Sequence, residues 1–199
     1  SIRDNSYLFY TLYISALIAT FMLIDGVGIQ FFWQKPVIIL RKTQVFWFCI
    51  FESFFILFVK SFLQTKQNTP NSDKVLTFSM ISSIVTGLFI LLLPGFSELA
   101  GNILVISVLI MLVTTLIVGV LCVKKGYKPA QYFLLAATSF VGGTAVSALE
   151  SLQLMPLSEE AAFWFMKIGA LLEAVLYSFA LADRFKYERK LKEDSQQKA

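Results

Sequence analysis

Residues 99–123 read LAGNILVISVLIMLVTTLIVGVLCV, twenty-five positions without a charged side chain or a proline. A helix of that length rises about 37 Å at 1.5 Å per residue, more than the ~30 Å of hydrocarbon in a bilayer. Pro94 precedes the stretch, and Lys124-Lys125-Gly126-Tyr127-Lys128-Pro129 follows it. The same pattern repeats outward in both directions. Pro36, Pro70, Pro94, Pro129 and Pro156 each fall in a different interruption between long apolar stretches. A proline inside a helix removes a backbone donor and clashes with the preceding turn, so this spacing predicts uninterrupted helices between the prolines. The stretches run over Tyr7–Phe32, Thr43–Leu63, Lys74–Leu93, Leu99–Val123, Ala130–Leu154 and Ala161–Ala182. The expected fold is all-α, a polytopic transmembrane bundle of six spans.

The composition is that of a chain dissolved in lipid. It is 57% hydrophobic with 20 Phe and 15% charged residues, against about 25% charged in soluble domains, and its mean hydropathy is +0.72. The net charge of +4 collects in the gaps and at the ends. It bears on sidedness and headgroups rather than on nucleic acid. The chain contains no histidine, which removes Ser-His catalysis, a phosphoaccepting histidine, His-ligated haem and most zinc chemistry. Cys49 and Cys122 lie in spans two and four and read as buried small apolar residues. No catalytic residue, cofactor site or metal site is expected, and the chain does not read as an enzyme.

Basic residues set the expected orientation. With the N-terminus inside, thirteen lie on the inner side: Arg3, Lys60, Lys66, Lys74, Lys124, Lys125, Lys128, Arg184, Lys186, Arg189, Lys190, Lys192 and Lys198. Only Lys35, Arg41 and Lys42 lie outside, and Lys167 falls within span six. That imbalance places both ends in the cytoplasm. Trp33, Trp47 and Trp164 fall near the outer ends of their spans, where an amphipathic ring sits at headgroup depth.

Four ionisable residues lie at membrane depth: Glu52 in span two, Glu150 in span five, and Lys167 and Glu173 in span six. A charge there is costly and requires a partner or water. Glu150 and Lys167 either snorkel to the outer interface or pair with each other. Glu52 and Glu173 read either as neutral acids in interhelical hydrogen bonds or as a proton or ligand site. A retinal-type Schiff base on Lys167 is disfavoured, because Lys167 lies only about two turns from the outer end of its span. Span six carries Ala170, Ala174, Ser178 and Ala182 at four-residue spacing, with Gly169, Glu173 and Ala180 alongside. Span five carries Ala136, Ser139, Gly143, Ser147 and Glu150, with Gly142 beside them. Small residues let helices approach closely in lipid, so spans five and six are expected to pack face to face through Gly143, Ser147, Ala170, Ala174 and Ser178.

These stretches carry a resemblance. Arg3-Asp4-Asn5-Ser6-Tyr7-Leu8 with Tyr10, Gly26-Val27-Gly28-Ile29-Gln30-Phe31-Phe32-Trp33, Phe62-Leu63-Gln64-Thr65 with Pro70, and Lys125-Gly126-Tyr127-Lys128-Pro129-Ala130 occur in order. Ile168-Gly169-Ala170, Leu172-Glu173-Ala174 and Ser178-Phe179-Ala180-Leu181-Ala182-Asp183-Arg184 complete them. Together they resemble the membrane domain of the bacterial seven-transmembrane receptors with diverse intracellular signalling modules (7TMR-DISM).

The resemblance implies a receptor in the bacterial inner membrane, with residues 1–184 as transmembrane sensor domain and 185–199 as the start of a cytoplasmic signalling helix. It also implies that the six spans are the second to seventh of seven, so the chain reads as a piece excised from a longer protein. An extracytoplasmic sensory domain with a first span, and an output module acting in two-component or cyclic-dinucleotide signalling, would then belong to the same polypeptide. By analogy a homodimer is expected. The expected partners are otherwise the bilayer alone, with no nucleic acid. The residues independently supply a means of transmission. No proline or glycine follows Gly169, so the last span can continue into the cytoplasm as one helix. The alternative is a small proton- or cation-coupled transporter or channel using Glu52 and Glu173. No inverted repeat or mid-span helix break in the sequence supports it.

Overall fold

The computed structural model describes residues 5–27, 37–92, 97–151 and 153–197. Arg3-Asp4, the 28–33 stretch with Trp33, Lys35, Pro36, Pro94 and Lys198 lie outside the described residues, as does the part of the first expected span beyond Val27. Among the described residues the secondary structure is helix with short connections and no strand: α1 (Ser6–Ile24), α2 (Val37–Leu63), the single turn α3 (Thr65–Asn68), α4 (Pro70–Leu92), α5 (Ser97–Lys124), α6 (Pro129–Ser151) and α7 (Glu159–Gln197).

Five stretches are long and apolar enough to cross a membrane: Ser6–Ile24, Thr43–Leu63, Pro70–Leu92, Asn102–Lys124 and Glu160–Lys186. The expected fifth span, α6, is 23 residues long but is not among them. It carries Thr138, Ser139, Gly142, Gly143, Thr144 and Ser147 where its neighbours carry Leu, Ile and Val.

Backbone chemistry at the turns accounts for the boundaries. Pro70 and Pro129 open α4 and α6 rather than lying outside them. At the first helical position the missing N–H has no partner to lose and the fixed φ suits the helix. α5 stops at a Schellman turn. Gly126 adopts φ +81°, its N–H donates to Val123 O at 2.9 Å, and Tyr127 N–H donates to Cys122 O at 3.1 Å. α6 ends the same way around Gln153, φ 57°, with Leu154 N–H donating to Leu149 O at 3.0 Å. The helix therefore stops at Ser151 and not at the expected Leu154. α1 stops at Ile24, short of the expected Phe32, because Gly26 turns the chain at φ 74° and donates to Leu23 O. α7 is capped by Ser158, whose hydroxyl accepts from Ala161 N–H at 3.2 Å, and then runs unbroken for 39 residues.

The chain forms two compact units, Ser1–Thr114 and Thr115–Ala199. In the first, α2 packs against both α1 and α4. Tyr13 is fully buried among Phe51, Phe55 and Phe58, with ring centroids 5.6, 5.1 and 6.1 Å away. The Ser6 and Ser61 hydroxyls meet at 2.7 Å at one end of the same α1–α2 contact. The α2–α4 hairpin is tied by polar groups at its turn. Lys60 Nζ stands 3.4 Å from Asp73 Oδ1 and donates to Thr77 Oγ1, Thr65 donates to Asp73, and Asn68 Nδ2 caps Leu63 O at 2.8 Å. In the second unit α6 and α7 form the main contact.

The exterior is apolar in both units. Leu92 is 78% exposed and Leu171 66%, while Glu52 and Glu173 are almost completely buried. This inverts a water-soluble protein and fits hydrocarbon as the solvent. Cys49 and Cys122 are both buried and no disulfide joins them.

Truncating Tyr13 to Ala removes the ring on which three phenylalanines of α2 close. The expected cost is about 3 kcal/mol, read as an earlier unfolding midpoint when mixed micelles are titrated with denaturing detergent.

Candidate functional site: a caged carboxyl and a glycine contact

Glu52 lies in the middle of α2 with no exposed surface. Three serines on two other helices converge on it. Ser79 Oγ lies at hydrogen-bond distance from Oε1, 2.9 Å, and Ser107 Oγ lies 2.7 Å from the same oxygen, while Ser83 Oγ donates to Oε2. Ser79 and Ser83 are one turn apart on α4 and so share a face, and Ser107 comes from the part of α5 that lies in the first unit. The Ser79 and Ser107 hydroxyls also meet each other at 2.9 Å, and each lies within 3.3 Å of the other's backbone carbonyl. All three serines are buried. A buried acid in lipid is thereby satisfied by neutral hydroxyls, and the contact joins α2, α4 and α5 through one side chain.

Beside it, Gly87 of α4 lies against Cys49 of α2, where an added Cβ would stand 3.2 Å from Cys49 Cβ. An apolar cavity of about 190 Å³ lies next to this contact between Phe46, Ser53, Ile84 and Leu88, and Glu52 does not line it.

In the second unit the α6–α7 contact closes on two glycines. A Cβ built on Gly143 would stand 2.6 Å from the Phe165 carbonyl oxygen and 3.2 Å from Gly169 Cα; one built on Gly169 would stand 2.8 Å from the Ser139 carbonyl oxygen. The obstructing atoms are backbone, so only separation of the helices would make room. Ser147 Oγ donates across the contact to Ala162 O at 2.7 Å. Further along, Phe133 and Tyr177 pack with ring centroids 5.1 Å apart.

The buried line on α7 runs through Ala162, Gly169 and Ala170, Glu173, Tyr177, Ala180 and Leu181, and Arg184. It corrects the expected packing residues. Ala170 is 2% exposed and faces the core, Ala174 is half-buried, and Ser178 is exposed and donates back to Ala174 O of its own helix at 3.1 Å. The reason is geometric. A strict four-residue repeat advances about 40° past a full turn at each step, so Ser178 has rotated about 80° from Ala170. Alternating three- and four-residue steps stay on the contact, and that line carries Glu173 and Arg184 inward.

The four ionisable residues therefore part company. Glu52 sits in the serine cage and Glu173 is buried on the inner line of α7. Lys167 Nζ lies over the Phe163 and Trp164 rings of its own helix, 4.5 and 4.8 Å from their centroids. Glu150 is half-buried near the end of α6, and among the described residues no ion pair joins it to Lys167.

Adjacent glycines on α6 give an internal control. A Cβ on Gly142 would meet nothing within 4 Å. Gly142→Ala is therefore expected to stabilise by about 0.5–1 kcal/mol through helix propensity. Gly143→Ala is expected to destabilise by about 1–3 kcal/mol as an overpacked contact. Unfolding midpoints of the two variants in the same micelles check the opposite signs.

No curated protein and no solved structure matches the chain. A family model described as 7TM diverse intracellular signalling matches residues 1–184. A buried polar joint in one unit and a glycine contact in the other are thus features of a membrane domain of signalling receptors. The chain belongs to the 7TM family of receptors with diverse intracellular signalling.

Proposed function

We propose that this chain is the transmembrane portion of a bacterial signal-transducing receptor of the inner membrane, relaying an extracytoplasmic stimulus through helix packing to a cytoplasmic output domain. The observation that carries the reading is α7. It is a single helix of 39 residues that runs from the Gly143–Gly169 contact through the apolar segment ending at Lys186 and on to Gln197. A rod of this kind transmits displacement or rotation along its axis. A backbone-to-backbone contact responds to strain by moving between discrete packings rather than by yielding smoothly.

In this reading six helices cross the bilayer, α6 included, and both ends face the cytoplasm, following the thirteen-to-three imbalance of basic residues. Residues 1–184 are the sensor domain and 185–199 lead toward the output module. Sensory and output domains are supplied by the same polypeptide, and the receptor acts as a homodimer without a catalytic residue or cofactor of its own in this part. The transporter or channel reading asks for a wet path to Glu52, whereas that side chain has no exposed surface.

Two measurements test the proposal. Single cysteines at Asn68 and Glu159, in a background lacking Cys49 and Cys122, are expected to label oppositely with an impermeant thiol reagent in whole cells, with Glu159 reactive. Equal labelling overturns the topology. In the full-length receptor, Gly143→Leu is expected to lock the output on or off while membrane insertion persists. Stimulus-responsive output from the inserted variant contradicts a relay through this contact.

A further inference from the structure

Three oxygens of the Glu52 cage form a closed triangle. Glu52 Oε1 lies 2.7 Å from Ser107 Oγ and 2.9 Å from Ser79 Oγ, and the two hydroxyl oxygens lie 2.9 Å apart. Each edge at these lengths is a hydrogen bond and needs a hydrogen of its own. A serine hydroxyl supplies one, so Ser79 and Ser107 fill two edges. The Ser83 hydrogen is committed to Oε2, on the other side of the carboxyl. If Glu52 is ionised, the third edge sets two lone pairs against each other in a site without exposed surface. If Glu52 carries a hydrogen on Oε1, the triangle closes head to tail. Oε1–H donates to one serine, that serine donates to the other, the second returns a hydrogen bond to Oε1, and Ser83 satisfies Oε2.

The charge environment agrees. Among the described residues no Lys or Arg pairs with Glu52. On α2 the nearest titratable neighbour is Cys49, one turn away, and Lys60 is engaged with Asp73 and Thr77 two turns in the other direction. α4 carries no charged residue after Lys74, and α5 none between Glu98 and Lys124. A lone carboxylate here would be a buried charge without a counter-ion.

We infer that Glu52, Ser79, Ser83 and Ser107 form a proton-binding site, in which a proton carried by Glu52 closes a hydrogen-bonded ring joining α2, α4 and α5. The site is independent of the α6–α7 relay and lies wholly within the first unit. Separation of α4 from α5, or of either from α2, breaks ring bonds that no lipid replaces. Movement of these helices is therefore coupled to the bound proton and proceeds between a closed and an open arrangement. The competing occupant of this oxygen set is a small monovalent cation, which the carboxylate would neutralise and the hydroxyl and carbonyl oxygens would ligate.

Infrared spectroscopy of the purified protein in lipid vesicles at neutral pH tests the assignment. The expected spectrum contains the carbonyl stretch of an un-ionised carboxylic acid that disappears in Glu52→Gln. Ser107→Ala, which opens the ring but keeps the acid, should shift the same band. That second variant decides the matter even if Glu52→Gln does not fold. Glutamine offers an N–H donor and a carbonyl acceptor in the same positions. Its melting temperature is expected to stay within about 4 °C of the parent, a shift on the scale of one marginal interaction in a chain of this length. Absence of any acid carbonyl band sensitive to either substitution overturns the proposal. So does a melting temperature that rises with sodium or lithium chloride over choline chloride in the parent but not in Glu52→Gln, since the ring would then hold a metal cation.

Discussion

Hydrocarbon offers no hydrogen bonds, and every polar group carried into it must find its partner within the protein. The rest of this structure follows from that constraint. It makes each crossing a continuous helix, because only a helix satisfies its own backbone. It places Gly126 and Gln153 at turns, where freed carbonyls are recovered by Schellman bonds, and Pro70 and Pro129 at helix starts, where no donor is missed. It also means that one glutamate placed in the middle of α2 determines what stands opposite. Ser79, Ser83 and Ser107 supply the hydrogen bonds that lipid cannot.

The same solvent removes the usual force between helices. Leucine on a helix gains little by leaving lipid for protein, so cohesion depends on close contact and on polar ties. The two units use these in different proportions. The first is held by an aromatic cluster around Tyr13, the Glu52 cage, and the Lys60–Asp73 network at the α2–α4 turn. The second is held by backbone meeting backbone at Gly143 and Gly169, reinforced by Ser147 across the seam. Contacts of both kinds are stiff, and stiffness suits the proposed relay of a positional signal along α7.

Much of the fold was legible in the sequence because the bilayer imposes a coarse grammar of apolar length and proline position. Small residues mark the α6–α7 face: Gly143 and Gly169 meet there, Ser147 bonds across it and Ala170 is buried. Ser178 does not lie on that face, since a four-residue repeat slides off a contact that follows the helical period. The serine cage leaves only a faint trace in the sequence. Serine in a helix can satisfy itself on the carbonyl four residues back, as Ser53 and Ser178 do, so its presence does not say which way it faces. The available signal was the four-residue spacing of Ser79 and Ser83, which puts two hydroxyls on one face of a span adjacent in sequence to the one bearing Glu52. The helix ends at Ile24 and Ser151 are hidden for a related reason: left-handed stops at Gly26 and Gln153 depend on local backbone geometry that hydropathy does not record.

The central claim is that α7 is a rigid element whose orientation, set at the glycine contact, determines what the following domain does. The most direct measurement inserts one to four alanines after Arg184 in the full-length receptor and records output for each. Every added residue turns the downstream helix by about 100°. The account predicts output that varies with helical phase, so that the insertion closest to a whole turn most nearly restores the parent's response. Output that is the same for every insertion, in protein shown to be folded and inserted, would reduce α7 to an anchor and contradict the account.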